Sequence, residues 1–201
     1  MLDRAATKLI KPAVDRLAAL LGSAGFGANQ MTIIGFGIGI FAAVLIATQS
    51  YLAAAAAILL SRLCDGLDGA IARRTRTTDA GGFLDIALDF VFYAAIPLGF
   101  AVADPDRNAL AAALLLAAFC GTMSSFLAFA VIAAKRQMDN LAWPDKSFYF
   151  LGGLTEATET LTCFVAMCIW PQHFALLATI FSAMCFVTTT TRIWWGWRAF
   201  S

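Results

Sequence analysis

The chain has 201 residues, of which 61% are apolar and only 13% are charged, and its formal net charge is +1. A soluble domain carries about a quarter charged residues, so this composition excludes an ordinary soluble protein and indicates an integral membrane protein. The sequence also lacks a block of basic residues, which excludes a nucleic-acid-binding surface. No linker or change in composition divides the chain, and we interpret residues 1–201 as a single membrane domain.

The first predicted element is an amphipathic helix over residues 2–21. Apolar residues recur there at helical spacing with basic residues among them, and Pro12 interrupts the pattern. Such a pattern is typical of a helix that lies on a membrane surface. The alternative is a lead-in segment that only orients the first membrane span.

Six apolar segments follow, and each approaches the roughly 20 residues that a membrane-spanning helix needs. Short connections rich in Gly, Pro, Asn and Asp separate them, as expected of turns. The predicted fold class is therefore all-α integral membrane, with six transmembrane helices after the N-terminal surface helix. The predicted spans cover residues 31–48, 52–72, 82–103, 109–134, 148–170 and 174–191.

Lys and Arg are distributed unevenly over the two sides of these spans. If the N terminus is cytoplasmic, twelve of them lie on the inner side, Arg107 lies on the outer side and Arg62 lies within a span, which accounts for all 14. This bias predicts that both termini are cytoplasmic. The connection between the second and third spans then also faces the cytoplasm.

Four aspartates lie in the inner halves of the second and third spans. Asp65 and Asp68 share one helix face, and so do Asp85 and Asp89, because each pair is about one turn apart. At ~1.5 Å per residue, the first and last of the four lie about 12 Å below the inner surface and the other two about 6–8 Å. A charge at such depth costs at least ~2.5 kcal/mol, so four at matched depth indicate one shared site.

Carboxylate oxygens suit hard divalent cations such as Mg²⁺ or Mn²⁺. Four carboxylates can hold two such ions, an arrangement used for phosphoryl displacement. One alternative is helix packing in which the acids serve as interhelical hydrogen-bond partners. Another is a divalent-cation transporter, since intramembrane acids often mark ion paths. The outer halves of both spans are bare of charge, which favours a closed pocket over a path.

The spacing Asp65-x2-Asp68-Gly69-x2-Ala72-Arg73, continued by Gly81-x3-Asp85-x3-Asp89, resembles the signature of the class I CDP-alcohol phosphotransferases, also called CDP-alcohol phosphatidyltransferases. These are membrane enzymes of phospholipid head-group synthesis. The six-span layout and the chain length are similar to the family as well, which extends the resemblance to residues 29–201. The connection between Arg73 and Gly81 is one residue shorter than is usual in the family.

The resemblance implies a reaction in which the phosphatidyl group of CDP-diacylglycerol passes to a hydroxyl of a polar acceptor and CMP leaves. It implies two divalent cations, Mg²⁺ or Mn²⁺, and a homodimer in the inner membrane of a bacterium with the active site facing the cytoplasm. The resemblance makes Asp89 the catalytic base as well as a metal ligand. By similarity, the metal ligands are Asp65, Asp68, Asp85 and Asp89, and the CDP-alcohol contacts Asn29, Thr32, Gly69, Ala72, Arg73 and Thr78.

The motif does not set the acceptor, which could be glycerol phosphate, serine, an inositol phosphate or another polyol. Relatives that use glycerol phosphate often carry an Arg shortly after the first-span Thr, and "NQMTIIGFGIG" has none. The alternative within the family transfers a CDP-linked head group to diacylglycerol. Candidate acceptor residues are Lys135, Arg136, Glu156 and Glu159. Lys135 and Arg136 equally fit a role as positively charged anchors on the inner side of the membrane. Glu156 and Glu159 equally fit an interhelical polar network.

Overall fold

A computed structural model describes residues 2–137 and 154–201, with side chains from residue 11 onward. Within these ranges the protein consists of α-helices and one 3₁₀ turn, Pro171–His173, without a strand. This confirms the all-α prediction. The α-helices are, in chain order, α1 Leu2–Ser23, α2 Ala28–Ala47, α3 Tyr51–Arg74, α4 Asp79–Ala103, α5 Pro105–Lys135, α6 Ala157–Ile169 and α7 Phe174–Phe200.

Four segments of the described chain are long and apolar enough to cross a membrane: α2, α4, α5 and the run Pro171–Phe200 that contains α7. α3 has 24 residues but carries the charged side chains of the signature. The protein is thus a multi-pass membrane protein, and the count of six spans stays a prediction. α1 is helical through Pro12, and its place on a membrane surface also stays a prediction.

The predicted span over residues 148–170 is wrong at residues 154–156, because α6 begins only at Ala157. Glu156 has an extended backbone at this helix start, and its N–H donates to Glu159 Oε2 at 3.2 Å. The N–H and the hydroxyl of Thr155 instead donate to Thr188 Oγ1 on α7, at 3.1 and 2.9 Å. Residues 148–153 lie outside the described ranges. The 13 residues of α6 reach about 20 Å, which is less than the hydrocarbon thickness.

α2 packs closely against both α3 and α4, and a glycine makes this possible. A Cβ built at Gly39 would lie 2.5 Å from Phe92 Cδ2 on α4 and 2.9 Å from Ser61 Oγ on α3. The Ser61 hydroxyl also donates to Gly35 O on α2 at 2.7 Å. These contacts join α2, α3 and α4 into the three-helix unit that carries the four aspartates.

A cluster of aromatic rings fills the interior beyond the aspartates, toward the C-terminal end of α4. The rings of Phe92, Phe100, Phe164 and Phe174 are fully buried. The last turn of α4 meets the start of α7 there, because Phe100 and Phe174 stack with centroids 4.3 Å apart. Aromatic rings therefore dominate the interior on this side, where Asn108 is a buried polar group that donates to Phe100 O at 2.9 Å.

Candidate active site

α3 and α4, which both pack against α2, bring the four aspartates together, and the turn between α3 and α4 is short. Thr78 has an extended backbone, and its Oγ1 accepts a 3.1 Å hydrogen bond from the N–H of Gly81, so it caps α4. The cap starts α4 close to the end of α3. Asp85 and Asp89 then fall on the first turns of α4, opposite the last turns of α3.

The four side chains line one small pocket, as the helical spacing predicts. Asp65 and Asp68 contribute from α3, Asp85 and Asp89 from α4, and Thr32 from α2. The remaining lining residues are Gly35, Phe36, Arg62 and Leu88. The structure thus brings together all four predicted metal ligands and one of the predicted donor-binding residues.

Three of the carboxylates fit a single divalent cation. One oxygen each of Asp65, Asp68 and Asp85 lies within 4.8 Å of the other two. Around an ion with ~2.1 Å bonds, adjacent ligand oxygens stand about 3.0 Å apart and opposite ones about 4.2 Å, so the three carboxylates would draw closer together to hold Mg²⁺ or Mn²⁺. Asp68 is only 6% exposed, and its Oδ2 is buried without a hydrogen-bond partner. A buried carboxylate oxygen of this kind requires a cation or a proton donor.

Asp89 stands apart from this set because it is paired with an arginine. Its Oδ1 accepts a hydrogen bond from Arg62 Nη1 at 2.6 Å, and the same nitrogen lies 3.3 Å from Asp65 Oδ1. Arg62 was not among the predicted site residues. The available signal was its place in an apolar run, one turn before Asp65, since a cation inside a membrane span usually has an acidic partner.

The predicted donor-binding residues lie around the rim of the pocket on α2, α3 and the turn before α4. A Cβ at Gly81 would stand 3.0 Å from Asn29 Oδ1 and 3.1 Å from Thr78 Oγ1, so these two polar groups meet at the start of α4. A Cβ built at Gly69 would lie 3.2 Å from Arg73 Nη1, so the guanidinium of Arg73 lies beside Gly69. Ala72 lies partly buried on the same last turns of α3.

The four candidate acceptor residues do not line the aspartate pocket. Lys135 and Arg136 are exposed at the end of α5, where Arg136 Nη2 donates to Phe200 O at 2.6 Å and its guanidinium lies over the Phe200 ring. Glu156 and Glu159 form the cap of α6. Arg136 is therefore held against the C-terminal end of α7, and its part in acceptor binding stays a prediction.

A second arginine points into the bundle on the other side of the molecule. Arg192 on α7 donates from Nη1 to Thr122 O on α5 at 3.2 Å, and its Nε is buried without a hydrogen-bond partner. It lies one turn beyond Thr188, which receives both hydrogen bonds of Thr155. A polar region therefore joins α5, the start of α6 and α7. We had not predicted it as a site.

Comparisons with known sequences agree with the signature. The model of the CDP-alcohol phosphatidyltransferase family matches residues 26–197. The inner membrane protein YnjF of Escherichia coli (strain K12) is 54% identical over 197 residues, which cover 98% of this chain and 96% of that protein. The archaetidylinositol phosphate synthase of Pyrococcus horikoshii is 36% identical over 103 residues, 51% of this chain and 54% of that protein.

Solved structures with the same fold come from Mycobacterium tuberculosis. Its phosphatidylinositol phosphate synthase (PgsA1) with CDP-DAG bound has a TM-score of 0.68 at 21% identity, covering 92% of this chain and 93% of that one. The same enzyme in complex with manganese and citrate has a TM-score of 0.67 at 22% identity, covering 92% and 88%. Since the family model matches most of the sequence, the chain belongs to the CDP-alcohol phosphatidyltransferases, transferases of phosphate-containing groups that act in phospholipid biosynthesis.

Proposed function

We propose that the protein transfers the phosphatidyl group of CDP-diacylglycerol to a hydroxyl of a polar acceptor and releases CMP. The observation that carries this proposal is the single pocket in which the four carboxylates of the signature meet. The M. tuberculosis enzyme of the same fold, whose structure contains CDP-DAG, supports the choice of donor. The manganese in the second structure of that enzyme supports a divalent cation.

In this proposal Asp65, Asp68 and Asp85 hold the metal, and Asp89 completes the ligand set for two cations in the working enzyme. When bound, the cations offset the charge of the diphosphate and the charge that develops on the leaving CMP. The residues at the rim receive the nucleotide. Gly69 and Ala72 leave room for the cytidine, and the guanidinium of Arg73, which is exposed beside Gly69, contacts a phosphate.

The remaining polar groups at the rim, Asn29, Thr32 and Thr78, border the nucleotide. Thr32 lines the pocket itself, whereas the other two meet at Gly81. Because the Thr78 hydroxyl already accepts the N–H of Gly81, it remains available to donate its proton to a phosphate oxygen. The short turn that carries Thr78 thus has both a structural and a binding role.

Asp89 is the proposed general base. In the reaction, the acceptor oxygen forms a bond to the phosphorus next to diacylglycerol, the bond from that phosphorus to the CMP oxygen breaks, and the hydroxyl proton passes to Asp89. The hydrogen bond from Arg62 engages Oδ1 of Asp89, so the proton is received on Oδ2. General bases of this kind contribute about 10²- to 10⁴-fold to rate.

For the acceptor, we propose an inositol phosphate as the first compound to test. Two similar proteins are named for products that contain an inositol phosphate group, the archaetidylinositol phosphate synthase and the phosphatidylinositol phosphate synthase. An anionic acceptor would be bound by the cations at the end of α5, Lys135 and Arg136. Arg136 would then have to exchange its contact with Phe200 O for a phosphate oxygen.

The other two functions are less well supported. A cation transporter needs polar groups across the whole bilayer, and the buried rings beyond Asp89 oppose this. Transfer of a CDP-linked head group would use the same pocket. The donor would then be the CDP-linked head group, and the acceptor would be diacylglycerol. The orientation, with the pocket and both termini cytoplasmic, rests on the distribution of Lys and Arg.

The test is an assay of the purified protein with Mg²⁺ or Mn²⁺, radiolabelled CDP-diacylglycerol and a panel of acceptors, with CMP release as the readout. A parallel reaction with CDP-linked head groups and diacylglycerol tests the alternative. Asp106→Asn is the matched control for the aspartate variants, because Asp106 is an exposed acid on the first turn of α5. Binding of CDP-diacylglycerol without CMP release from any acceptor would reject the proposed reaction.

A further inference from the structure

Arg62 is held in a fixed position beside the aspartates. Its side chain is only 13% exposed, and its Nη1 contacts Asp89 Oδ1 at 2.6 Å and Asp65 Oδ1 at 3.3 Å. The guanidinium carbon lies 4.1 Å from the centroid of the Phe92 ring, a cation–π distance. Nη2 lies 3.3 Å from Ser61 Oγ. Arg62 is therefore restrained on several sides and points toward the pocket.

The groups that restrain Arg62 are themselves fixed. The Ser61 hydroxyl donates to Gly35 O across the interface of α2 and α3, and Phe92 is fully buried against Gly39. A long cationic side chain near a membrane surface usually extends to water, but this one turns inward. An arginine does not lose its proton in proteins, so its positive charge at the pocket is permanent.

The charged side chains of the pocket fall into two groups. Asp65, Asp68 and Asp85 have oxygens within 4.8 Å of one another and are the candidate ligands of one ion. Asp89 lies outside this set and accepts the 2.6 Å hydrogen bond from Arg62, whose Nη1 also lies 3.3 Å from Asp65 Oδ1. Four carboxylates with one guanidinium and one divalent ion carry a net charge of about −1, whereas a second ion would raise it to about +1 next to a fixed cation.

We propose that Arg62 is a resident cation of the site, which pairs with Asp89 so that the protein alone binds one divalent cation. The second cation enters only with the diphosphate of the donor, whose negative charge offsets Arg62. This inference rests on the function proposed above for the same pocket. It makes Arg62 a positioning residue, which acts through Asp89 and through the number of metal ions bound.

The test counts the Mn²⁺ ions bound per chain of the purified protein in detergent, without donor, by electron paramagnetic resonance of the free ion. The wild type binds one ion. Arg62→Gln releases Asp89 and removes the opposing charge, so it binds two. Arg62→Lys keeps the charge and binds one, and the exposed Arg107→Gln, which removes a charge far from the pocket, also binds one.

Asp89→Asn provides a second test that does not depend on the folding of the Arg62 variants. Since Asp89 is not a ligand of the first ion, this variant still binds one Mn²⁺. Two ions on the wild type, one ion on folded Arg62→Gln, or loss of the ion in Asp89→Asn would each overturn the proposal. The count requires no turnover, so an inactive protein with the expected counts would reject the proposed reaction and leave the role of Arg62 intact.

Discussion

Gly39 is the position where the packing of the site can be tested most directly, by substitution with alanine. The new Cβ would lie 2.5 Å from Phe92 Cδ2 and 2.9 Å from Ser61 Oγ. An ordinary contact needs about 3.5 Å or more, so one of these groups must shift by up to about 1 Å. Phe92 is fully buried under Arg62, and Ser61 is hydrogen bonded to α2, so neither moves freely.

The expected destabilisation is about 1–3 kcal/mol, the usual cost of adding a methyl group to a filled core. Gly37→Ala is the matched control, because it lies in the same helix and a Cβ there meets nothing within 4 Å. Both variants gain the same helix propensity, about 1 kcal/mol, so their difference isolates the packing.

Thermal unfolding in detergent measures this difference. At about 2–4 °C per kcal/mol for a chain of this length, Gly39→Ala should melt at least about 2 °C below Gly37→Ala. Displacement of Phe92 also disturbs the contact with Arg62, so CMP release should fall in Gly39→Ala and persist in Gly37→Ala. Equal melting temperatures for the two variants would refute the close approach of α2 to α4 at Gly39.

The other predictions concern the chemistry and the orientation. Asp85→Asn removes a proposed metal ligand and should abolish CMP release in a protein that still folds, with Asp106→Asn as the control. Chelation by EDTA should abolish CMP release reversibly, and activity without a divalent metal would contradict the metal site. Asp89→Asn should bind CDP-diacylglycerol yet lose at least ~10²-fold in turnover, and near-normal turnover would remove it as the base. Thr77→Cys in a background without native cysteines should react with an impermeant thiol reagent only from the cytoplasmic side, since the turn is exposed; labelling from outside would reverse the orientation. Glu156→Gln should raise the acceptor KM with donor binding unchanged, whereas a lower melting temperature with unchanged kinetics would leave it as only the cap of α6.

Local spacing was enough to predict the aspartate pocket. Asp65 and Asp68 lie about one turn apart, as do Asp85 and Asp89, and the short connection between their helices predicts that the two pairs face each other. Helical periodicity and turn length are local properties, and both survive in the folded chain. The sequence therefore predicted which carboxylates meet, but not that the helices carrying them are joined mainly through α2, which packs against both.

The features that the sequence did not predict depend on contacts between distant residues. The pairing of Arg62 with Asp89 spans 27 positions and depends on the rotation of α3 against α4. The late start of α6 depends on Thr155, whose hydrogen bonds go to Thr188, 33 positions away. The apolar pattern favoured a helix over residues 154–156 as well, where the bonds of Thr155 to Thr188 and the cap formed by Glu156 and Glu159 instead start α6 at Ala157.

The buried aromatic rings beyond the aspartates also have a consequence for the membrane in which the protein lies. In a bilayer, four carboxylates and an arginine would form one end of a chain of polar groups along which protons can move. Completed on the other side, such a chain would drain the electrochemical gradient that the cell maintains. Phe92, Phe100, Phe164 and Phe174 place four fully buried rings beyond the aspartates, and an ion crossing this layer would have to give up its hydration at a cost of several kcal/mol. A layer of this kind would hinder the passage of ions from the charged site through the interior of the bundle.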